Sequence, residues 1–320
     1  MSSPKFIGKT LTLGLTAAIL MTSSAFAQAV NQAGADALKA RFTQELNSRK
    51  NIKVAGRAAT FTGETSVVAK DSYYQVTLPS LQLADQKDGT VNIGKIVMNM
   101  SPSDAAGNEW KSSVALPSTL TYSGANGKNP GTIKLGSQKA SGLWDMTMFG
   151  FRNLNASYSD VVYQNTGSKD GTALGQLDFS YNITKSPTGI SGPVTVNAKD
   201  LSFIDTAGNK SPLAQELKVN SQIQADKGAA QGFTQTSQAE ITGLSNTVTL
   251  LGNKLKDPNQ TNKAQIQKAL GVVSVLQMSG KPVAGNADTR SYDVKTDGSG
   301  KTTLNGVDVS LLLGGIQLSR

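Results

Sequence analysis

Neither cysteine nor histidine occurs anywhere in the 320-residue chain. Without cysteine there can be no disulfide, no thiol nucleophile and no lipid anchor on a cysteine. Without histidine the commonest general base is missing, and Ser-His-Asp triads go with it. Zinc sites of the usual Cys/His kind are excluded as well. Any catalysis would have to rest on carboxylates, a Ser/Lys pair or tyrosine. Glutamate is scarce too, present only as Glu45, Glu64, Glu109, Glu216 and Glu240. Aromatic residues make up 6% of the chain, little for the girdles of an outer-membrane barrel.

Long apolar runs are also missing, apart from one near the start. Leu11 to Met21 is short and apolar, follows Lys5 and Lys9, and precedes Ser23-Ser24-Ala25-Phe26-Ala27. A positive start, an apolar centre and a small-x-small end form a cleavable secretory signal. About 20 residues are needed to cross a bilayer, so this run is too short to be a comfortable anchor. The expected cleavage site is Ala25/Ala27 before Gln28, with the periplasm or cell exterior of a bacterium as destination. The expected organisation is a signal peptide at 1–27 and a single β-rich domain at 28–320, with no transmembrane segment after cleavage.

The formal charge is +9. Lys5 and Lys9 supply two of these charges, and residues 1–27 contain no acid, so +7 remains beyond the cleavage site. The basic residues are scattered rather than clustered, so no nucleic-acid partner is expected.

Two periodicities divide the domain. Leu38, Phe42 and Leu46 recur every four residues and predict an N-terminal helix over 35–48. From 53 to 225 the period is two. Leu177, Phe179, Tyr181 and Ile183 alternate with polar neighbours, as do Leu154, Ala156 and Tyr158, and Ile96, Met98 and Met100. Strands of this kind have one apolar and one wet face, and about ten are expected, in an antiparallel meander. The segment Val76-Thr77-Leu78-Pro79-Ser80 is echoed by Val114-Ala115-Leu116-Pro117-Ser118. Gly89-Thr90-Val91-Asn92-Ile93-Gly94 is echoed by Gly131-Thr132-Ile133-Lys134-Leu135-Gly136. The echo predicts a repeated hairpin, with each Pro ending a strand or lying at an edge. Residues 238–278 read as a helical hairpin, with Ile241, Leu244, Val248, Leu251 and Leu255 on one stripe, a break at Asp257-Pro258-Asn259, and Ile266, Leu270, Val273 and Leu276 on the next. A last β-hairpin is expected over 290–313. The fold class is thus mainly β with α: a long curved antiparallel sheet on which the helices pack.

Several motifs resemble functional ones. Gly298-Ser299-Gly300-Lys301-Thr302 resembles the end of a phosphate-binding loop, but Lys295 stands where its first Gly belongs, so a hairpin turn is the better reading. Ser66 and Lys70 are one residue too far apart for a penicillin-binding pattern. Met98 and Met100, like Met146 and Met148, share strand faces. Thioether pairs suit Cu(I), but they also fill uneven apolar space, and Trp144 on the face of Met146 favours the second reading. No metal or cofactor is expected. The residues expected to line an apolar groove are Met98, Met100, Trp144, Met146, Met148, Phe179 and Tyr181.

Taken together, the signal segment, the Leu-Pro hairpins, the Gly-Thr-Val/Ile strands, the helical hairpin and the closing Thr303-Leu304-Asn305-Gly306-Val307 resemble proteobacterial envelope proteins of the YdgA type and their alphaproteobacterial relatives, and more distantly AsmA-like proteins. The resemblance implies a long curved sheet, a place in envelope upkeep and no catalytic motif. The expected function is therefore that of a non-catalytic periplasmic protein whose apolar sheet face is a groove or a core, with lipid or an envelope protein as partner. The alternatives are an outer-membrane or cell-surface β-structural protein and a carboxylate-based hydrolase of envelope polymers.

Overall fold

The computed structural model describes residues 30–48, 53–54, 57–85, 89–104, 106–124, 127, 130–226, 233–258, 263–297 and 301–308. The expected signal segment, with Ala25, Ala27 and Gln28, and residues 309–313 of the expected hairpin lie outside the described residues.

Helix α1 (Gln32–Ser48) begins where the Asn31 side chain accepts a hydrogen bond from the Gly34 amide at 2.8 Å, satisfying one of the donors that a helix start leaves free. Its Ala35, Leu38 and Phe42 form the buried stripe. Short strands follow: β1 (Lys53–Val54), β2 (Arg57–Thr62) and β3 (Ser66–Ala69). The next eight strands come in consecutive pairs with brief interruptions. These are β4 (Tyr74–Thr77) and β5 (Ser80–Asp85), β6 (Gly89–Gly94) and β7 (Val97–Pro102), β8 (Glu109–Ala115) and β9 (Thr119–Ser123), and β10 (Gly131–Lys134) and β11 (Gln138–Asp145). Longer strands then run unbroken: β12 (Gly150–Asn165), β13 (Gly171–Asn182), β15 (Gly189–Ile204), β16 (Lys210–Asp226) and β17 (Phe233–Thr242), with a short β14 (Thr184–Ser186) beside β15. Helices α2 (Leu244–Lys256) and α3 (Lys263–Ser279) precede β18 (Lys281–Val283), β19 (Asn286–Thr296), β20 (Thr302–Leu304) and β21 (Val307–Asp308). All of these strands pair antiparallel in one open sheet. The described strands do not close into a barrel, and no described helix is long and apolar enough to cross a membrane.

The interruptions fall on one line across the sheet. Leu78-Pro79 lies beside Ile96, whose carbonyl accepts from the Leu78 amide at 2.9 Å. The Leu116-Pro117-Ser118 break lies beside Leu135-Gly136-Ser137, and the Ser118 carbonyl accepts from the Leu135 amide at 2.8 Å. Proline cannot donate to a ladder. Beside Pro117 the Gln138 side chain replaces the missing ladder: its amide nitrogen donates to the Leu116 carbonyl at 2.7 Å, and its oxygen accepts from the Leu116 amide at 2.9 Å. The line continues through unbroken strands. By register Asp160 opposes Gly175, Gly175 opposes Asp200, and Asp200 opposes Gln215. Asp160 and Asp200 have φ of 51° and 57°, a left-handed conformation that L-residues other than Asn and Asp seldom take. Glycine faces each of them because a Cβ on Gly136 would lie 2.8 Å from the Asp160 Cβ, and one on Gly175 would lie 3.0 Å from the Asp200 Cβ. The sheet is therefore creased transversely. The internal echo in the sequence is this crease crossed twice, at Leu78-Pro79 and Leu116-Pro117.

Several boundaries differ from the sequence expectation: α1 starts at Gln32 rather than 35, and β19 starts at Asn286 rather than 290. The sheet continues to Thr242 rather than ending at 225, and the helical pair starts at Leu244 rather than 238. Ile241 fits the helical stripe, but it lies opposite Leu217 on the neighbouring strand and so serves the sheet. Gly243, with φ of 87°, ends the strand, and a Cβ there would approach the Gln215 amide nitrogen to 2.9 Å. The expected phosphate-loop look-alike is a hairpin: the Asp297 amide donates to the Lys301 carbonyl, and Thr302 pairs with Thr296.

Candidate functional site

Register carries the apolar face through the sheet. Tyr74, Met100, Ser112, Gly142, Leu154, Tyr181 and Val194 are opposed in succession, and so are Ala140, Ala156, Phe179, Val196, Val219, Ala239 and Tyr292. Of the residues expected to line a groove, Met98, Met100, Trp144, Phe179 and Tyr181 share this face and divide into two environments, whereas Met146 and Met148 fall in the turn between β11 and β12 rather than on a strand.

At one end α1 closes the face. Phe42 is fully buried against the Trp144 and Phe149 rings, with centroids 5.7 and 4.8 Å away. Met98 is 2% exposed, Met100 0% and Trp144 8%. Met146 packs on this cluster, and Met148 follows in the turn whose amides, with that of Thr147, donate to the Asp145 carboxylate. Trp110 is buried beside Tyr74 at 5.9 Å. The Tyr74 hydroxyl accepts from the Asn31 amide, so the sheet holds the start of α1. Met98, Met100 and Trp144 thus belong to a closed core, where flexible thioethers fill space between aromatic rings. The buried Trp144 indole nitrogen has no hydrogen-bond partner among the described residues.

At the other end α2 and α3 lie on the same face. The Tyr292 hydroxyl donates to the Leu276 carbonyl of α3 at 2.9 Å, and Thr247 of α2 donates to the Leu213 carbonyl at 2.6 Å. The Lys254 ammonium sits 3.8 Å from the Phe203 ring centroid.

Phe179 and Tyr181 lie between these two covers. With Leu154, Tyr158, Leu177, Val194 and Val196 they form a strip of half-buried apolar side chains, and Leu217 at its margin is 36% exposed. The Phe179 and Tyr181 rings meet edge to face at 5.6 Å. Burial pushes the Tyr181 phenol up to about 12 and raises Tyr158 as well, since low-polarity surroundings disfavour a phenolate. Sequence alternation identified both rings. It did not separate them from the methionines, because which stretch a helix covers depends on where that helix docks.

The opposite face is polar. Gln75, Asn99, Ser113, Ser141, Asn155, Ser180, Thr195, Asn220, Gln238 and Asp293 are opposed in succession across ten strands. Strand spacing makes this row about 43 Å long. In the sequence these positions read only as the wet side of the sheet.

Several carboxylates are stabilised in their charged form. Hydrogen bonds from Gln176 and Ser157 lower Asp178, those from Ser168 and Asn165 lower Asp170, and Lys218 lowers Glu216. Burial raises Asp145, but Thr147, Met148 and Lys185 together hold it below the usual range. Arg152 pairs with Glu109. Asp145, Asp170, Asp178 and Glu216 therefore accept hydrogen bonds at neutral pH rather than deliver protons. Neither protein-family models nor characterised proteins show a match to this chain.

Proposed function

We propose that this chain is a non-catalytic protein of the bacterial envelope, exported by its N-terminal segment, that holds an acyl chain along the apolar strip over β12, β13 and β15. The observation that carries this reading is the distribution of cover on one continuous apolar face. Helices lie over both ends, and the half-exposed stretch between them offers apolar side chains with aromatic edges. Exposed apolar surface of this continuity marks a binding surface in a folded protein. The lowered carboxylates support a binding role over the hydrolytic alternative, and the open sheet supports it over a barrel, which must close to satisfy its edge strands.

The test is uptake of a fluorescent C18 fatty acid by the purified chain, compared with Val196→Asp and Leu177→Asp. Uptake by the wild type and its loss in both variants is the expected result. A wild type that takes up none, with its secondary structure intact, overturns the proposal.

A further inference from the structure

The two ends of the apolar face are covered by helices of different kinds. In α1 the side toward the sheet is buried and the other side is wet, as in a helix with its full cover. In α3 the ten residues 268–277 are all half-buried, none sealed and none fully exposed. Between Ala269 and Met278 the only polar residues are Ser274 and Gln277. At about 100° per residue, Val275 lies half a turn round from the buried Ile266, and Val272 and Met278 lie a third of a turn to either side of it. Met278 is 77% exposed, more than any other large apolar side chain among the described residues. A helix that is apolar on opposite sides ordinarily has cover on both, and here the side of Val272, Val275 and Met278 is incompletely covered. Charge on the helical pair is of one sign. Residues 244–279 contain Lys254, Lys256, Lys263 and Lys268 against Asp257, with no glutamate, arginine or aromatic residue. The four lysines gather at the linked ends of the two helices.

From this we infer that α2 and α3 form a docking surface for an anionic lipid bilayer, with the Val272, Val275 and Met278 side entering the interface and the lysines meeting the lipid phosphates. Apolar side chains beside lysines, without acidic neighbours, are the composition of helices that lie in a bilayer interface. Lysine suits that position because its stem can stay among apolar groups while its ammonium reaches the headgroups. A protein partner fits less well, since protein interfaces are enriched in arginine and aromatic residues and depleted in lysine. The place of the pair suits the function proposed above. It lies on the same side of the sheet as the apolar strip, and α2 reaches β15, one of the strands of that strip, where Lys254 stands over Phe203. That a docked bilayer hands acyl chains to the strip rests on the acyl-binding reading; the docking itself rests on the helices alone.

The experiment is co-sedimentation with phosphatidylcholine vesicles, with and without phosphatidylglycerol as the anionic lipid. It uses the exported form expected from the sequence, from Gln28 onward, so that the apolar run at 11–21 contributes nothing, with the full chain in parallel. Binding to the anionic vesicles, weakened by added salt, is expected, with little binding to the neutral ones. Lys256→Gln combined with Lys263→Gln, both at exposed positions, is expected to weaken it about 25-fold, since each lysine near an anionic surface contributes about fivefold. Met278→Asp is expected to weaken it about tenfold. Because the chain has no cysteine, Met278→Cys and Lys139→Cys can each carry a single polarity-sensitive dye. A blue shift on anionic vesicles is expected from the first and not from the second, which lies on the polar face. Val196→Asp is expected to abolish fatty-acid uptake and spare vesicle binding, so the two proposals fail separately. No sedimentation with anionic vesicles, equal binding to neutral ones, a blue shift from Lys139→Cys alone, or binding indifferent to both the lysine pair and Met278→Asp would overturn the inference. So would a dimer that Met278→Asp dissociates and that binds no vesicles.

Discussion

Replacing Phe42 with alanine tests how firmly α1 seals its end of the sheet. Phe42 is fully buried and touches Trp144 and Phe149 in one aromatic cluster. Removing a ring from such a site costs about 3–5 kcal/mol, the lost transfer energy plus the cavity left behind. The aromatic contacts fall within that range rather than adding to it. The position has a built-in reporter, because both tryptophans of the chain, Trp110 and Trp144, lie in the same buried cluster. Urea unfolding followed by tryptophan emission is therefore expected to show a midpoint well below that of the wild type. If α1 were only a loose lid, Phe42→Ala would red-shift the native emission without moving the main transition seen by circular dichroism. A stability loss under about 1 kcal/mol by both probes would refute the closed core and return Met98, Met100 and Trp144 to the open strip.

Other perturbations follow from the same geometry. Gly34→Ala would place a Cβ 2.1 Å from the Tyr74 hydroxyl; the helix start must then shift, and a lowered melting temperature is expected. Gln138→Ala leaves the Leu116 amide and carbonyl without their side-chain partner and is expected to cost about 1–3 kcal/mol in denaturant unfolding. Asp160→Gly removes a left-handed L-residue and is expected to be neutral or stabilising by up to about 1 kcal/mol, whereas Gly136→Ala beside it is expected to destabilise through the clash with Asp160. Tyr181 has a folded pKa of about 12 against an ordinary 10.0. Its raised value means the unfolded chain loses that proton first, so stability is retained below pH about 10 and falls as pH rises toward 12. Ultraviolet titration of phenolate, compared with Tyr181→Phe, checks this; identical alkaline unfolding of the two chains would contradict it.

The strands and the helical stripe of α1 were legible in the sequence because both depend on local period. Alternation placed Phe179 and Tyr181 on one face, and the four-residue spacing placed Leu38 and Phe42 in the core. The crease was visible only as an echo. Its Leu-Pro half lies in the sequence, but its other half consists of Asp160 and Asp200 in left-handed conformation facing glycines in neighbouring strands. That is a pairing between distant residues which no local pattern states. The phase of the apolar pattern does record it: Leu154, Ala156 and Tyr158 are followed by Val161 and Tyr163, a step of three across Asp160. The start of the helical pair departs from the sequence periodicity for a related reason. Ile241 satisfies a helical spacing and a strand alternation equally well, and only the pairing with β16 decides between them. The division of the expected groove into sealed and half-open parts depends on where the helices dock, and hence on tertiary packing.

Native mass spectrometry of the protein isolated from its own cells shows whether a lipid occupies the apolar strip over β12, β13 and β15. Added masses of acyl-bearing lipid are expected on the wild-type chain, lost in Val196→Asp and retained in Asn155→Leu. A bare chain in every preparation, or a lipid adduct indifferent to Val196→Asp, would contradict it.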